Sequence, residues 1–230
     1  MATMQEKISR SYLFVPATRI ERVPKAFASG AHAVIVDLED AVAPADKRAA
    51  RDMVARGCPN AQSVLIRING PDTEWFEDDV KLCGELRAPG VVVSKAETPE
   101  QLRHVASQLP AGALILPLVE TARGYANIAT LCAVSGVQRL MFGNIDFQLD
   151  LGIDGNRDEL LYFRSGIVLA STSILLYRHF FGVNNQGALS QYHVADKNAG
   201  LGGVIHRGAV RFKLQRLIAI GAFSQSGQRH

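Results

Sequence analysis

The sequence predicts an α/β fold with parallel strands, and three observations carry that prediction. Short apolar runs alternate with segments of helical period from Tyr12 to Asp146, the pattern of successive βαβ units. The connections are short, with no repeat of solenoid period and no low-complexity linker. Polar residues cluster just past the strand ends: Asp37 and Glu39, Arg67, Lys95, Glu120 and Asp146. An open doubly wound sheet gathers its site at one switch point, whereas a barrel brings strands from a whole ring to one mouth. Polar groups after at least five successive strands therefore favour a TIM (β/α)8 barrel. The 230 residues, 47% hydrophobic and 20% charged, suit a single domain spanning 1–230. Such barrels usually take about 250 residues, so the shortfall is expected in an atypical C-terminal region, residues 172–230.

Taken in order, Tyr12–Val15 is a short strand stopped by Pro16, and Ile20–Ser29 a helix with Gly30 where its C-terminus would fall. Ala33–Val36 is a buried strand leading into Asp37-Leu38-Glu39-Asp40. Asp46–Ala55 has Lys/Arg on one side and Ala/Met/Val on the other, a helix. Ser63–Ile68 alternates as a strand and is broken by Asn69-Gly70. Trp75–Leu86 reads as a helix, Gly90–Val93 as a strand, Pro99–Gln108 as a helix. Ala113–Val119 and Arg139–Phe142 read as buried strands around a helix over Ala126–Val134. That makes six strands and five helices up to Asp146. Beyond it, Leu160–Ala170 is expected as a helix, Ser173–Tyr177 as a seventh strand, Val183–Tyr192 as loop and Gly202–His206 as an eighth strand.

The formal charge of +3 is too small to argue for nucleic acid or a membrane surface. Charge is nonetheless uneven: Lys197–His230 holds six Lys/Arg and no Asp or Glu. Three widely spaced cysteines, Cys58, Cys83 and Cys132, form no CxxC pair, which fits a reducing compartment. The first ten residues lack a signal-peptide apolar core, and the apolar stretch Leu160–Phe181 is interrupted by Arg164 and Arg178. A cytoplasmic protein is expected.

Glu120 and Asp146 each follow a strand, so a parallel fold delivers both to one mouth. Two carboxylates there suit a hard divalent cation such as Mg²⁺, or else cap the helices that follow. Arg67, one or two strands away, offers a planar fork for a substrate carboxylate or enolate. A metal and an arginine facing the same developing charge suit an anionic, oxygen-rich substrate that passes through an enolate. Asp37 and Glu39, two apart, share a face if the strand continues; they either hold metal-bound waters or serve as strand-end and helix-cap groups. Lys95 is expected to help hold substrate or to neutralise a neighbouring acid. His32 and His104 read as structural or solvent-facing, leaving His206 as the histidine of interest.

The segments SYLFVPAT, KAFASGAHAVIVDLEDAV, IRING, VVVSKAE, LVETARGYAN and LMFGNIDFQLDLG, in that order, resemble the citrate lyase β-subunit-like proteins. Those belong to the wider HpcH/HpaI aldolase/citrate lyase group, with malyl-CoA and citramalyl-CoA lyases. The match covers Ser11 to about Ser171, within a family-like barrel region, residues 1–171. The resemblance implies a TIM barrel assembled as homotrimers or hexamers, with Mg²⁺ on Glu120 and Asp146 and an oxo-acid held by Arg67. It places Asp37 and Glu39 with the catalytic groups, and Lys95, Gly143 and Asn144 beside the substrate. The implied reaction is cleavage or formation of a short β-hydroxyacyl thioester, on CoA or an acyl carrier, to an acetyl thioester and an oxo-acid. The C-terminal region departs from the family: Gly200–Ala209 carries Arg207 and Ala209 where relatives have Pro and Gln, and no acidic residue follows Asp196 to match their lid aspartate. Two other readings stay open, a metal-dependent aldolase on free oxo-acids and a catalytically weak barrel acting as an oligomeric partner.

Overall fold

All six strands expected between Tyr12 and Phe142 form, and they pair in sequence order. The structure is a computed structural model that describes residues 9, 11–59, 61–155, 158–180 and 218–220. Strands β1 (Tyr12–Pro16), β2 (Ala33–Asp37), β3 (Leu65–Ile68), β4 (Gly90–Val93), β5 (Leu114–Val119) and β6 (Leu140–Phe142) are joined by parallel ladders. A further strand, β7 (Ile218–Ile220), pairs in parallel with β6. Winding in strict sequence order puts every connecting helix on one face, and the observed architecture is that of a curled half-barrel. Arg139, just ahead of β6, reaches Tyr12 of β1: its Nη1 donates to the Tyr12 hydroxyl at 2.5 Å and also to the Ser9 carbonyl. The first and sixth strands thus come within one side chain of each other across the open face.

The helices are α1 (Val23–Ala28, after a 3₁₀ segment Ala17–Arg22), α2 (Lys47–Gly57), α3 (Phe76–Glu85), α4 (Pro99–Gln108), α5 (Ala122–Ala126), α6 (Ile128–Cys132), α7 (Asn144–Leu151) and α8 (Leu161–Phe180). Alternation along each strand sends one set of residues to the helices and the other to the inner face. Val34, Val36, Ile66, Ile68, Val91, Val93 and Ile115 pack with Val54, Val80, Leu102 and Val105 of the helices. Ile35, Leu65, Val92, Leu116, Leu118 and Met141 form an apolar layer on the other face. The next inward positions toward the carboxyl ends are Asp37, Arg67, Ser94 and Glu120, all buried. The polar site is therefore one pleat above an apolar floor.

Several expectations need correction. Ser173–Tyr177 is not a strand; it lies within α8. Leu160, Ile167 and Ser171 are buried and Phe163 packs against the same cluster, so a helical stripe leads straight into that run. The single helix at Ala126–Val134 is two, because Asn127 sits at φ −98°, ψ 7°, with its side-chain amide donating to the Glu97 carbonyl. Thr121 caps α5 by accepting from the Gly124 N–H, which moves the start four residues earlier. The helix expected over Ile20–Ser29 opens as 3₁₀. Helix α7 and strand β7 were not foreseen, while Val183–Tyr192 and Gly202–His206 lie outside the described residues. Among the described residues no helix is long and apolar enough to cross a membrane, and all three cysteines are free thiols.

Gly90, on the inner face of β4, has no room for a side chain. A β-carbon there would lie 2.7 Å from Leu65 Cδ2 and 2.8 Å from Leu114 Cβ. Gly90→Val should lower stability by about 1–3 kcal/mol through overpacking, read as a reduced urea midpoint with an unchanged slope.

Candidate functional site

Arg67, the penultimate residue of β3, lies on the inner face directly beside Asp37 in the β2–β3 register. Its Nε donates to Asp37 Oδ1 at 2.7 Å and its Nη2 to Asp37 Oδ2 at 2.5 Å. Both residues are essentially buried. Burial works against the guanidinium charge, but the Asp37 hydrogen bonds and the Asp37, Glu39 and Asp40 charges outweigh it and hold Arg67 protonated. The fork expected to grip a substrate carboxylate is thus closed on Asp37. The Nη1 edge turns to Glu39 Oε2 at 2.9 Å and Asp40 Oδ2 at 3.2 Å.

Asp37 has a second task. It accepts from the Glu39 N–H at 2.9 Å and the Ala41 N–H at 3.3 Å, and so caps the turn that follows β2. Strand β2 stops at Asp37, so the expectation of a shared strand face with Glu39 fails. Instead the turn aims Glu39 at Glu120 and Asp146. Among the described residues these three carboxylates form a group whose nearest oxygens lie within 4.8 Å of one another. Glu120 immediately follows β5, and Asp146 sits in the first turn of α7.

Lys95, expected beside substrate, adopts a left-handed backbone conformation at φ 48°. Its N–H donates to Glu120 Oε2 at 3.1 Å, while its Nζ lies 3.5 Å from Glu39 and 3.4 Å from Asp146. Burial opposes its charge, yet Glu39, Asp146 and Glu120 prevail and raise its pKa. Gly143 caps α7 with no side chain for a steric reason: a β-carbon there would collide with the Glu120 carboxylate. Asn144 is the first residue of α7 and half-buried.

The electrostatics ask for a cation. Burial, followed by the Glu39 and Asp146 charges, pushes the Glu120 carboxyl up to about 8, and burial also raises Glu39 against the pull of Arg67. Glu39 Oε2 is buried and accepts no hydrogen bond, because Arg67 Nη1 approaches it closely but without hydrogen-bond direction. An all-oxygen group of three carboxylates, one with a buried oxygen held only by an ion pair to Arg67, fits a hard divalent ion.

Of the other expected groups, His104 pairs with Glu77 at 2.9 Å and His32 with Ser11 at 2.7 Å, both at exposed positions. His206 lies outside the described residues. Sequence reasoning passed over Lys47, Asn69, Asp79 and Ser94, all buried. Lys47 carried a signal: a lysine as first residue of a helix opposes the helix dipole.

A parallel sheet wound in sequence order, with acids and an arginine gathered at its carboxyl end, defines an α/β protein with a cation-seeking site. More specifically, the chain belongs to the HpcH/HpaI aldolase/citrate lyase family, which residues 10–189 match. It is 37% identical over 180 residues to a citrate lyase subunit beta-like protein of Deinococcus radiodurans, covering 70% of this chain and 61% of that one. A (3S)-malyl-CoA thioesterase of Cereibacter sphaeroides is 32% identical over 158 residues, 66% of this chain and 54% of its own length. The chain thus spans less than two thirds of these relatives. Among solved structures, CitE of Mycobacterium tuberculosis in complex with magnesium, acetoacetate and coenzyme A is similar at a TM-score of 0.64 and 32% identity, over 72% of this chain and 62% of that one. Citrate lyase beta subunit from the same organism, complexed with oxaloacetate and magnesium, matches at 0.64 and 32%, over 72% and 74%.

The Glu120 shift has a testable sign. A carboxyl raised from about 4.3 when unfolded to about 8 when folded leaves the folded state holding the extra proton. The stability it contributes is present below the unfolded value and lost as pH rises toward 8. Metal-free protein should therefore lose thermal stability between about pH 5 and 8, and Glu120→Gln should flatten that slope in pH-dependent melting curves.

Proposed function

We propose that this protein is a Mg²⁺-dependent carbon–carbon lyase. It would cleave or form a short β-hydroxyacyl thioester of the citryl, malyl or citramalyl type, giving an acetyl thioester and an oxo-acid. The observation that carries this reading is the convergence of Glu39, Glu120 and Asp146 with nearest oxygens within 4.8 Å, beside the buried cation Arg67. Family membership and the magnesium, oxo-acid and coenzyme A named for similar structures support it.

In this reading Glu120 and Asp146 would hold Mg²⁺, with Glu39 as a third carboxylate on the same side, available to the ion or to its bound waters. Bound there, the ion supplies Lewis-acid polarisation of a carbonyl and offsets enolate charge. Arg67 presents its Nη1 edge to the same region, with Asp37 fixing the guanidinium plane. Lys95 brings its ammonium to the rim, where it neutralises Glu39 and Asp146 and is available to a substrate carboxylate. Gly143 leaves Glu120 room, and Asn144 lines the approach. The apolar floor beneath excludes water and strengthens every charge interaction above it. The same reading takes residues 1–230 as one barrel domain acting as a homo-oligomer in the cytoplasm.

A second reading, thioester hydrolysis, is favoured by the malyl-CoA thioesterase among the relatives. One experiment separates the two when run in the cleavage direction: malyl-CoA, citramalyl-CoA or citryl-CoA, with and without Mg²⁺, followed by mass detection. Acetyl-CoA and an oxo-acid are expected for the lyase. Free hydroxy-acid and CoA would indicate the hydrolase, and turnover of the corresponding free hydroxy-acids, supplied in parallel, the thioester-independent aldolase.

For the metal, the Glu120→Ala/Asp146→Ala double variant should abolish the rise in melting temperature that Mg²⁺ confers on the parent. A rise of unchanged size would remove both residues from the metal site.

A further inference from the structure

The first residue of α2 is a buried lysine. Lys47 is about 5% exposed, and burial lowers its pKa against the pull of Glu39, Asp37, Asp79 and Asp40. A cation at a helix N-terminus opposes the dipole, and a buried ammonium needs all three protons bonded. Each proton has an acceptor. Nζ donates to the Leu38 carbonyl at 2.8 Å, the Glu39 carbonyl at 2.7 Å and Asn69 Oδ1 at 2.6 Å.

Two of those acceptors are consecutive carbonyls of the turn that launches Glu39. The Glu39 backbone is therefore held from both sides, its N–H by the Asp37 carboxylate at 2.9 Å and its C=O by Lys47. Asn69 is oriented in turn. Its side-chain amide donates to Asp79 Oδ2 at 2.6 Å and to the Leu38 carbonyl at 3.1 Å, and its backbone N–H donates to Asp79 Oδ2 at 3.0 Å. Asp79 is fully buried on α3 and receives Arg51 Nη1 from α2 at 3.1 Å. Two helices and the end of β3 thus converge on one turn, and the residue that turn aims is Glu39. A lysine serving only to fill space would sit more favourably as leucine or methionine.

We infer that Lys47 is a positioning residue: steered by Asn69 and Asp79, it fixes the Leu38–Glu39 peptides so that the Glu39 carboxylate faces Glu120 and Asp146 as the third arm of the cation site. The inference rests on the metal reading of that triad and deepens it.

The test is a double-mutant cycle on Mg²⁺ affinity, measured by calorimetric titration of the purified full chain, with melting temperatures alongside. Glu39→Gln should weaken Mg²⁺ binding at least tenfold. Lys47→Met, similar in shape but without the ammonium, should weaken it to within about threefold of that. The double variant should bind no worse than Glu39→Gln alone, because a residue acting through Glu39 has nothing left to position. Losses that multiply in the double variant, or Lys47→Met binding Mg²⁺ like the parent while Glu39→Gln does not, would overturn the positioning role and leave the metal site standing. Unchanged affinity in Glu39→Gln would overturn the positioning role together with Glu39 as a ligand. Should Lys47→Met fail to fold, Asn69→Ser, which removes the Oδ1 acceptor of Lys47 together with the amide donors to Asp79 and the Leu38 carbonyl, takes its place in the cycle, with a loss that again vanishes on the Glu39→Gln background.

Discussion

The pairing of Arg67 with Asp37 is the interaction on which the rest of the site depends. A guanidinium buried at a strand end has no water to share its charge, so it must be met by acids in the right plane. Asp37 meets it in bidentate fashion from the neighbouring strand, and the same carboxylate then has its remaining capacity taken by the Glu39 and Ala41 N–H groups. The turn after β2 is consequently shaped by the arginine of β3. Removing either partner would strand a buried charge, at a cost of about 3–5 kcal/mol, and would release the turn that carries Glu39.

Above that pair the mouth is unbalanced in charge. Asp37, Glu39, Asp40, Glu120 and Asp146 outnumber Arg67 and Lys95, and burial, followed by repulsion from Glu39 and Asp146, raises the Glu120 carboxyl. The apolar layer directly below prevents water from relaxing the strain. Stability and function therefore pull apart here: the arrangement that makes the site attractive to a divalent ion is one that the fold tolerates only because the surrounding pleats are well packed.

Much of this was legible in the sequence. The β2 and β4–β6 strands are short apolar runs bounded by polar residues, and Pro99–Gln108 announces itself with a Thr98 capping box and a proline in its first turn. Glu120 and Asp146 could be placed together because parallel strands share one carboxyl end. What was illegible depends on which partner wins. Arg67 looked free for substrate because nothing in a linear chain says that Asp37 sits opposite it in register. Ser173–Tyr177 has the composition of a strand, and only the stripe through Leu160 and Ile167 extends α8 across it. Lys47 was only half visible: a cation at a helix start is a signal, but its acceptors are mostly backbone carbonyls, which leave no trace in residue identity.

The contact between Arg139 and Tyr12 also bears on how the chain assembles. Neighbouring strands from β1 to β6 pair residues only 21 to 30 positions apart, so the sheet can extend by small loop closures from its N-terminal end. Arg139 and Tyr12 are separated by 127 residues, a contact whose loop entropy is met only after the intervening strands are in place. Curling is thus a late event in folding. Until the later strands add, the growing edge offers unpaired backbone groups to any other chain that meets it, and among the described residues β1, paired only with β2, still presents such an edge after the curl has formed.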